Sequence, residues 1–177
     1  MKAKHLYLLA SSWLLAGLNA SFAQVNSRGF TVQMGDEMPD FVLHDLAGNT
    51  YTKSSLIGTT YVLQFTASWC RVCRAEMPHL ESEVWQSFQD RPFLLLGVDL
   101  DEPHDKVAAF SERMGVTYPM CPDPGGQVFY SIAEPKAGVT RNVVVDRSGR
   151  IAMLTRLFDE EEFSQMIDVI DALTSAK

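Results

Sequence analysis

Two cysteines lie three residues apart in the stretch ASWCRVCRAEMP, which spans residues 67–78. Cys70 and Cys73 follow directly after a run of strand-forming residues. Thiols at this spacing serve three kinds of chemistry: half of a metal site, a structural crosslink, or a redox pair that opens and closes. The rest of the sequence bears differently on each of these interpretations.

The metal and crosslink interpretations find little support elsewhere in the chain. A structural zinc site takes four ligands, commonly from two CxxC pairs or from CxxC together with HxxxH, and this chain has one such pair. Cys121 and His79 would complete a ligand set only by coincidence of folding. A disulfide that closes so short a loop removes little entropy from the unfolded chain. We therefore predict no metal and no cofactor.

The position of the cysteine pair favours redox chemistry. Residues 61–66 (YVLQFT) are predicted to form a buried strand, and a helix is predicted to begin at about residue 70. The unpaired N–H groups and the dipole of a helix N-terminus stabilise a thiolate. Cys70 is then the attacking thiol, and Cys73, one turn into the helix, resolves the mixed disulfide. Arg71 between them either adds positive potential at Cys70 or is a solvated side chain.

Apolar runs typical of strands alternate along the chain with runs typical of helices, and this order predicts an α/β fold. The predicted strands cover residues 41–46, 50–52, 61–66, 93–100, 117–122, 142–146 and 150–158, and the predicted helices cover residues 70–88, 103–114, 126–132 and 159–173. Pro78 lies inside the first helix and is expected to kink it. This order indicates a mixed central sheet flanked by helices. The reactive site of such a sheet lies beyond the carboxyl ends of its strands, where Cys70 falls.

The first residues have the pattern of an export signal. Two lysines precede an apolar run at residues 6–18, which is too short to span a bilayer comfortably, and small residues follow at 21–23. We predict cleavage after Ala23 and a periplasmic protein. The predicted organisation is a signal peptide over residues 1–23, a flexible lead-in over residues 24–35 and one domain over residues 36–177.

Composition limits the partners of the protein. The formal net charge is −7, and it becomes −9 when Lys2 and Lys4 leave with the signal. An acidic chain without a basic stripe argues against nucleic acid as a partner. No second apolar run is long enough to cross a membrane, so we predict no stable membrane anchor. Disulfides form in the oxidising compartments that exported proteins enter, and three cysteines leave at least one thiol unpaired in a monomer.

The sequence around the cysteine pair resembles the thioredoxin superfamily, and more closely its TlpA/ResA-like exported branch, which is related to the AhpC/TSA proteins. The resemblance rests on WCRVC, preceded by YVLQFTAS and followed by RAEMP. It extends to residues 38–56, 94–110, 116–126 and 142–152, and covers roughly residues 36–175. It implies a thioredoxin-like fold with an N-terminal β-hairpin and a central strand–helix insertion.

The resemblance also implies a function and roles for individual residues. The implied function is an enzyme that exchanges disulfides of exported proteins, more as a reductase than as an oxidase, with a membrane or periplasmic electron donor or acceptor as its redox partner. By motif position, Cys70 is the nucleophile and Cys73 the resolving thiol, and Trp69 borders the pair. Glu76 falls where ResA-like members carry an active-site glutamate.

Glu76 has two interpretations that the residues alone leave open. On a helix it lies one turn past Cys73 on the same face. There a carboxylate can take or return the proton of a buried thiol, and its charge raises the pKa of that thiol. Alternatively, Glu76 forms a surface pair with Arg74 or His79.

The chain departs from the family at two places. The cis-proline position of the family falls on Thr140, and a cis bond before a residue other than proline costs about 2.5–4 kcal/mol, so we predict a trans Val139–Thr140 bond. The Thr140 hydroxyl either donates to Cys70 and lowers its pKa, or satisfies a backbone group. Arg141 can act on Cys70 by charge unless strand alternation turns it elsewhere. The other departure is Cys121, a third thiol at the end of a predicted strand, which either lies on the reactive side or is a small core residue.

Two alternative functions belong to other classes. VTR before the strand VVVD resembles the peroxiredoxins, in which an arginine approaches the peroxide-reactive cysteine. That family carries threonine three residues and proline seven residues before its cysteine, whereas this chain has Ala67 and Leu63. The second alternative is a non-catalytic binding module that uses the acidic surface.

Overall fold

The protein is described here by a computed structural model that covers residues 28–175. The strands of this part of the chain are β1 (Val42–His44), β2 (Thr50–Thr52), β3 (Thr60–Thr66), β4 (Phe93–Leu100), β5 (Met120–Asp123), β6 (Arg141–Val145) and β7 (Ile151–Arg156). The α-helices are α1 (Arg71–His79), α2 (Gln86–Phe88), α3 (His104–Met114), α4 (Gln127–Ile132) and α5 (Glu160–Ser175). The predicted signal peptide and its cleavage site lie outside these residues.

A five-stranded mixed sheet is the centre of the fold. Its strand order is β5-β4-β3-β6-β7. The strands β3, β4 and β5 are mutually parallel, and β6 and β7 are added antiparallel on the other side of β3. β1 and β2 form a separate antiparallel hairpin. The predicted mixed sheet and N-terminal hairpin are therefore confirmed.

The central strands are buried on both faces, and this explains their near-continuous apolar sequences. Every residue of β3 and of β6 is buried. Side chains of β3 alternate between the two faces, so that Leu63 and Phe65 pack into the core that also contains Cys70 and Cys73, while Val62 packs into the other core. The sheet thus separates two apolar layers, and the cysteine pair belongs to one of them.

The helix predicted over residues 70–88 is present but irregular. α1 passes into a π-helical segment at Leu80–Trp85, and this segment passes into α2. Pro78 lacks an N–H group and cannot donate to the carbonyl four residues before it. The chain responds with a π-helical segment that begins two residues later, a form of irregularity that recurs inside α-helices. The sequence predicts a kink at Pro78, and the structure has a π-helical segment two residues after it.

The strand predicted over residues 117–122 begins later, at Met120. The difference has a local cause, because Thr117 is held by a side chain of the π-helical segment. Its N–H and its hydroxyl donate to the two carboxylate oxygens of Glu81, at 2.8 and 2.7 Å. These bonds take the place of strand pairing at residue 117.

Part of the predicted flexible lead-in is tied to the domain. The N–H of Thr31 donates to the carbonyl of Ile132 at 2.9 Å, and the N–H of Gly35 donates to the carbonyl of Ile151 at 2.8 Å. Phe30 is buried and forms an isolated antiparallel bridge with Ala133. Residues 28–35 therefore pack against the domain as a strap.

Candidate active site

The cysteine pair lies at the junction between β3 and α1, as the sequence predicts. Cys70 is the N-cap residue of α1, and Cys73 lies in its first turn. The two residues are joined by a disulfide, with their Cα atoms 5.3 Å apart. The N–H of Cys73 donates to the Sγ of Cys70 at 3.1 Å. A thiolate at this sulfur would meet the same donor and the positive end of the helix dipole.

The two sulfurs differ in access to solvent. Cys70 retains 6% of its surface, whereas Cys73 is fully buried. Trp69 borders the pair on the open side and is 60% exposed. Arg71 is also exposed. An incoming thiol or disulfide can therefore reach Cys70 past the Trp69 ring, and it cannot reach Cys73.

Glu76 is buried and belongs to a polar cluster under α1. Only 1% of its surface is exposed. Its carboxylate accepts hydrogen bonds from the Thr140 hydroxyl and from Nδ2 of Asn142, each at 2.7 Å. Burial raises the pKa of Glu76, and hydrogen bonds from Thr140, Asn142 and Gln64 oppose this effect. The carboxyl group can therefore hold a proton at a higher pH than an exposed glutamate does.

The alternative surface pairing of Glu76 is not made. Arg74 donates instead to the carbonyl of Ser68 at 2.8 Å. His79 lies 2.6 Å from Glu83. Both basic side chains thus have other partners, and Glu76 faces the sheet.

The predicted trans bond before Thr140 is wrong, because the Val139–Thr140 peptide is cis. The prediction weighed only the intrinsic preference of the peptide, whereas tertiary contacts hold Thr140 on both sides. Its hydroxyl donates to Glu76, and its carbonyl accepts from the N–H of Leu157 at 3.1 Å. The single hydroxyl proton is therefore directed at the carboxylate and not at Cys70.

Arg141 is turned away from the cysteine pair toward the strap. Its Nε donates to the carbonyl of Gly138 at 3.0 Å, and its NH2 group donates to the carbonyl of Arg28 at 2.8 Å. Its guanidinium carbon lies 4.4 Å from the centre of the Phe30 ring. Strand alternation thus decides its direction, and the peroxidase alternative gains no support from it.

Cys121 is a buried free thiol on β5. Burial and the charge of Asp45 raise its pKa to about 12. A thiol with so high a pKa is almost entirely protonated at neutral pH and is a poor nucleophile. The interpretation of Cys121 as a packing residue fits this environment.

Sequence reasoning missed the polar residues that support the site. Gln64 and Asn142 are fully buried on neighbouring strands, and both lie beside Glu76. A signal for them exists, because each is a lone amide in a run otherwise predicted to be buried. Glu102 was also missed, although it accepts from the N–H and hydroxyl of Ser68 in the loop before the pair.

Residues 28–175 contain neither a candidate metal cluster nor a helix suited to a bilayer. In this range no three His, Cys, Asp or Glu side chains are grouped so that they could hold a metal ion. None of the helices in the same range has the length and apolar character needed to cross a bilayer.

Comparisons with known proteins agree with the fold and with thiol–disulfide chemistry. The profile of the AhpC/TSA family matches residues 34–154. The thiol-disulfide oxidoreductase ResA of Geobacillus thermodenitrificans is 30% identical over 159 residues, which cover 89% of this chain and 90% of that protein.

Solved structures give the same result. A Bacteroides thetaiotaomicron protein described as a protein disulfide isomerase is 46% identical, with a TM-score of 0.81, over 84% of this chain and 94% of that one. The thiol:disulfide interchange protein DsbE of Chlorobium tepidum shares the fold, with a TM-score of 0.71 at 24% identity, over 81% of this chain and 99% of that one. The chain therefore belongs to the AhpC/TSA family and, within the thioredoxin superfamily, to the ResA-like thiol–disulfide oxidoreductases.

Proposed function

We propose that this oxidoreductase is exported, with cleavage after Ala23, and that it reduces disulfides of exported proteins through Cys70 and Cys73. The observation that carries the assignment of roles is the difference in access between the two sulfurs, together with the N–H of Cys73 directed at the Sγ of Cys70. The ResA relatives support the thiol–disulfide chemistry. The lysine-flanked apolar run at the N-terminus supports export.

The proposed cycle has two exchange steps. The thiolate of Cys70 attacks one sulfur of a substrate disulfide, a mixed disulfide forms, and the other substrate sulfur leaves as a thiolate that takes a proton from water. Cys73 then loses its proton, and its thiolate attacks the Sγ of Cys70. The Cys70–Cys73 disulfide forms, and the second substrate sulfur leaves. An exported electron donor of the dithiol class returns the pair to its reduced form.

Glu76 is the proposed acceptor of the Cys73 proton. It lies one helical turn after Cys73, and burial raises the pKa of its carboxyl group. A base whose pKa is closer to the working pH transfers protons in both directions, as a cycle of oxidation and reduction requires. Thr140 and Asn142 orient the carboxylate.

Trapping of substrates tests the roles of the two cysteines. Cys73→Ser leaves the attacking thiol and removes the resolving one, so mixed disulfides should accumulate on Cys70 in the exported fraction. Cys70→Ser is the matched control, because its remaining thiol is buried, and it should trap few proteins. Equal trapping by both variants would remove the assignment.

Export and direction need separate measurements. N-terminal sequencing of the protein from the periplasmic fraction should begin at Gln24, and a start at Met1 would contradict cleavage. The equilibrium of the Cys70–Cys73 pair with glutathione gives its reduction potential. A reductase requires a potential well below that of glutathione, whereas a potential above it would contradict the reductive direction.

A further inference from the structure

Asp99 is a buried carboxyl group that the proposed cycle does not use. It lies near the carboxyl end of β4 and is fully buried. No donor from residues 28–175 reaches either of its carboxylate oxygens. Its register partners on the neighbouring strands, Thr66 and Pro122, carry no charge. An ionised carboxylate in these surroundings would have lost its water without gaining hydrogen bonds.

Glu102 lies three residues later and holds the active-site loop. It is 4% exposed. Its carboxylate accepts from the N–H of Ser68 at 2.6 Å and from the Ser68 hydroxyl at 2.8 Å, and it pairs with Lys106. Burial alone would raise the pKa of Glu102, but the hydrogen bonds from Lys106 and Ser68 outweigh it and lower the pKa. Glu102 is therefore the ionised member of the two.

Asp99 and Glu102 lie three residues apart, and a hydrogen bond between their carboxyl groups raises the pKa of Asp99 and lowers that of Glu102. Two ionised carboxylates offer only acceptors, so a bond between them requires one proton. Burial, followed by the negative charge of Glu102, raises the pKa of Asp99 to about 8, and the positive charge of Lys106 opposes this. The proton therefore belongs to Asp99, which also explains why its oxygens find no donor.

We propose that Asp99 and Glu102 share one proton and that this acid pair positions the loop from Ser68 to Cys70 at the mouth of the redox site. While Asp99 is protonated, its carboxyl group donates to Glu102, and Glu102 keeps both of its bonds to Ser68. When the proton leaves, a second negative charge lies beside Glu102 and competes for Lys106. The hold on Ser68 then weakens, and the loop that presents Cys70 changes position.

The acid pair acts separately from Glu76. The bonds of Glu76 go to Thr140 and Asn142, whereas Glu102 bonds to Ser68 and Lys106. On the other side of the loop, Arg74 of α1 donates a hydrogen bond to the carbonyl of Ser68. The significance of the loop rests on the proposed function, since it matters only as the rim of the Cys70–Cys73 site.

The test is a pH titration of the oxidised protein by carbon-detected NMR, which avoids the fast exchange of amide protons above pH 8. In the oxidised form Cys70 and Cys73 carry no titrating proton. The carbonyl carbon and amide nitrogen of Ser68 should shift with a midpoint near pH 8, the pKa of Asp99. Asp99→Asn should abolish this shift, because its amide donates to Glu102 at every pH.

Three further variants sharpen the titration. Lys106→Met removes the cation that lowers the pKa of Asp99 and should move the Ser68 midpoint upward. Glu102→Gln removes the negative charge that raises the pKa of Asp99, so it should move the Ser68 midpoint downward, and it serves if Asp99→Asn does not fold. Asp123→Asn is the matched control and should leave the Ser68 midpoint unchanged. Asp123 is a buried carboxyl group at the end of the adjacent strand, and its carboxylate accepts from the N–H groups of Val128 and Phe129.

The outcomes separate the acid pair from the proposed function. A Ser68 signal without inflection between pH 6 and pH 10, or an inflection that persists in Asp99→Asn, would overturn the proposal that Asp99 and Glu102 share one proton. The titration involves no turnover, so a failure of substrate trapping in Cys73→Ser would contradict the proposed function and leave the acid pair standing.

Discussion

Replacement of Thr140 by valine isolates one of the bonds that hold Glu76. Valine keeps the shape of threonine and removes the hydroxyl that donates to the Glu76 carboxylate at 2.7 Å. A hydrogen bond to a charged group contributes about 1.5–3 kcal/mol. Because both groups are buried, water cannot replace the lost donor. We therefore expect Thr140→Val to lose about 1.5–3 kcal/mol of stability where Glu76 is ionised, which corresponds to roughly 3–12 °C in the melting temperature.

The sign of the pH dependence follows from the protonation of Glu76. Its pKa in the folded protein is raised above the ordinary value of 4.5, mainly by burial. Stability contributed by such a group is fully present below the unfolded-state pKa and is lost as the pH rises through the folded-state pKa. The loss of a donor raises that pKa further. The cost of Thr140→Val should therefore grow as the pH rises and be smaller at pH 4 than at pH 8.

Urea unfolding of the oxidised protein at pH 4, 6 and 8 measures this cost. Thr155→Val is the matched control, because the buried Thr155 hydroxyl accepts from Asn142 at 2.9 Å, a bond between two neutral groups. Its cost should be about 0.5–1.5 kcal/mol and independent of pH. An equal cost of Thr140→Val at pH 4 and pH 8 would refute the reasoning.

Three further substitutions address other parts of the site and the core. Glu76→Gln removes the proposed proton acceptor, so the dependence of the rate of insulin reduction on pH should shift relative to the wild type; an unchanged profile would contradict the proton role. Cys121→Ala should leave insulin reduction at the wild-type rate, since the Cys121 thiol has a pKa of about 12, and a loss of activity with intact folding would make Cys121 a third redox thiol. Gly97→Ala places a methyl group against Sδ of Met120 on the next strand and should cost about 1–3 kcal/mol in thermal or urea unfolding; an unchanged midpoint would show that Met120 moves aside.

The elements that position the cysteine pair could be predicted because their signals are local. The run YVLQFT has no charged residue, and the run FLLLGVDL has one, Asp99, next to its end. Such runs are typical of strands covered on both faces, and both are strands of the central sheet. Gly115 has a positive φ of 66° and ends α3 where the sequence predicts the end of a helix. Each of these features depends on residues close together in the chain.

The polar contacts of the site could not be predicted, because they join distant parts of the chain. Thr140 lies 64 residues after Glu76, and Glu102 lies 34 residues after Ser68. The sequence gives the types of these residues but not the register in which α1 and the loop after β4 approach the strands. The cis bond before Thr140 was missed for the same reason, since the residues that hold it are recruited by the tertiary fold.

The Glu76 cluster has a mechanical consequence for the whole domain. Asn142 of β6 and Thr140, which directly precedes β6, donate hydrogen bonds to the Glu76 carboxylate of α1. Gln64 approaches the same carboxylate from β3. A slip of the helix by one turn, about 5.4 Å, would carry a buried carboxyl group away from all of its donors. The register of α1 against the sheet is thus fixed. The movement that accompanies opening or closing of the disulfide must therefore occur in the first turn of α1 and the loop before it, while the rest of the helix and the sheet stay in place.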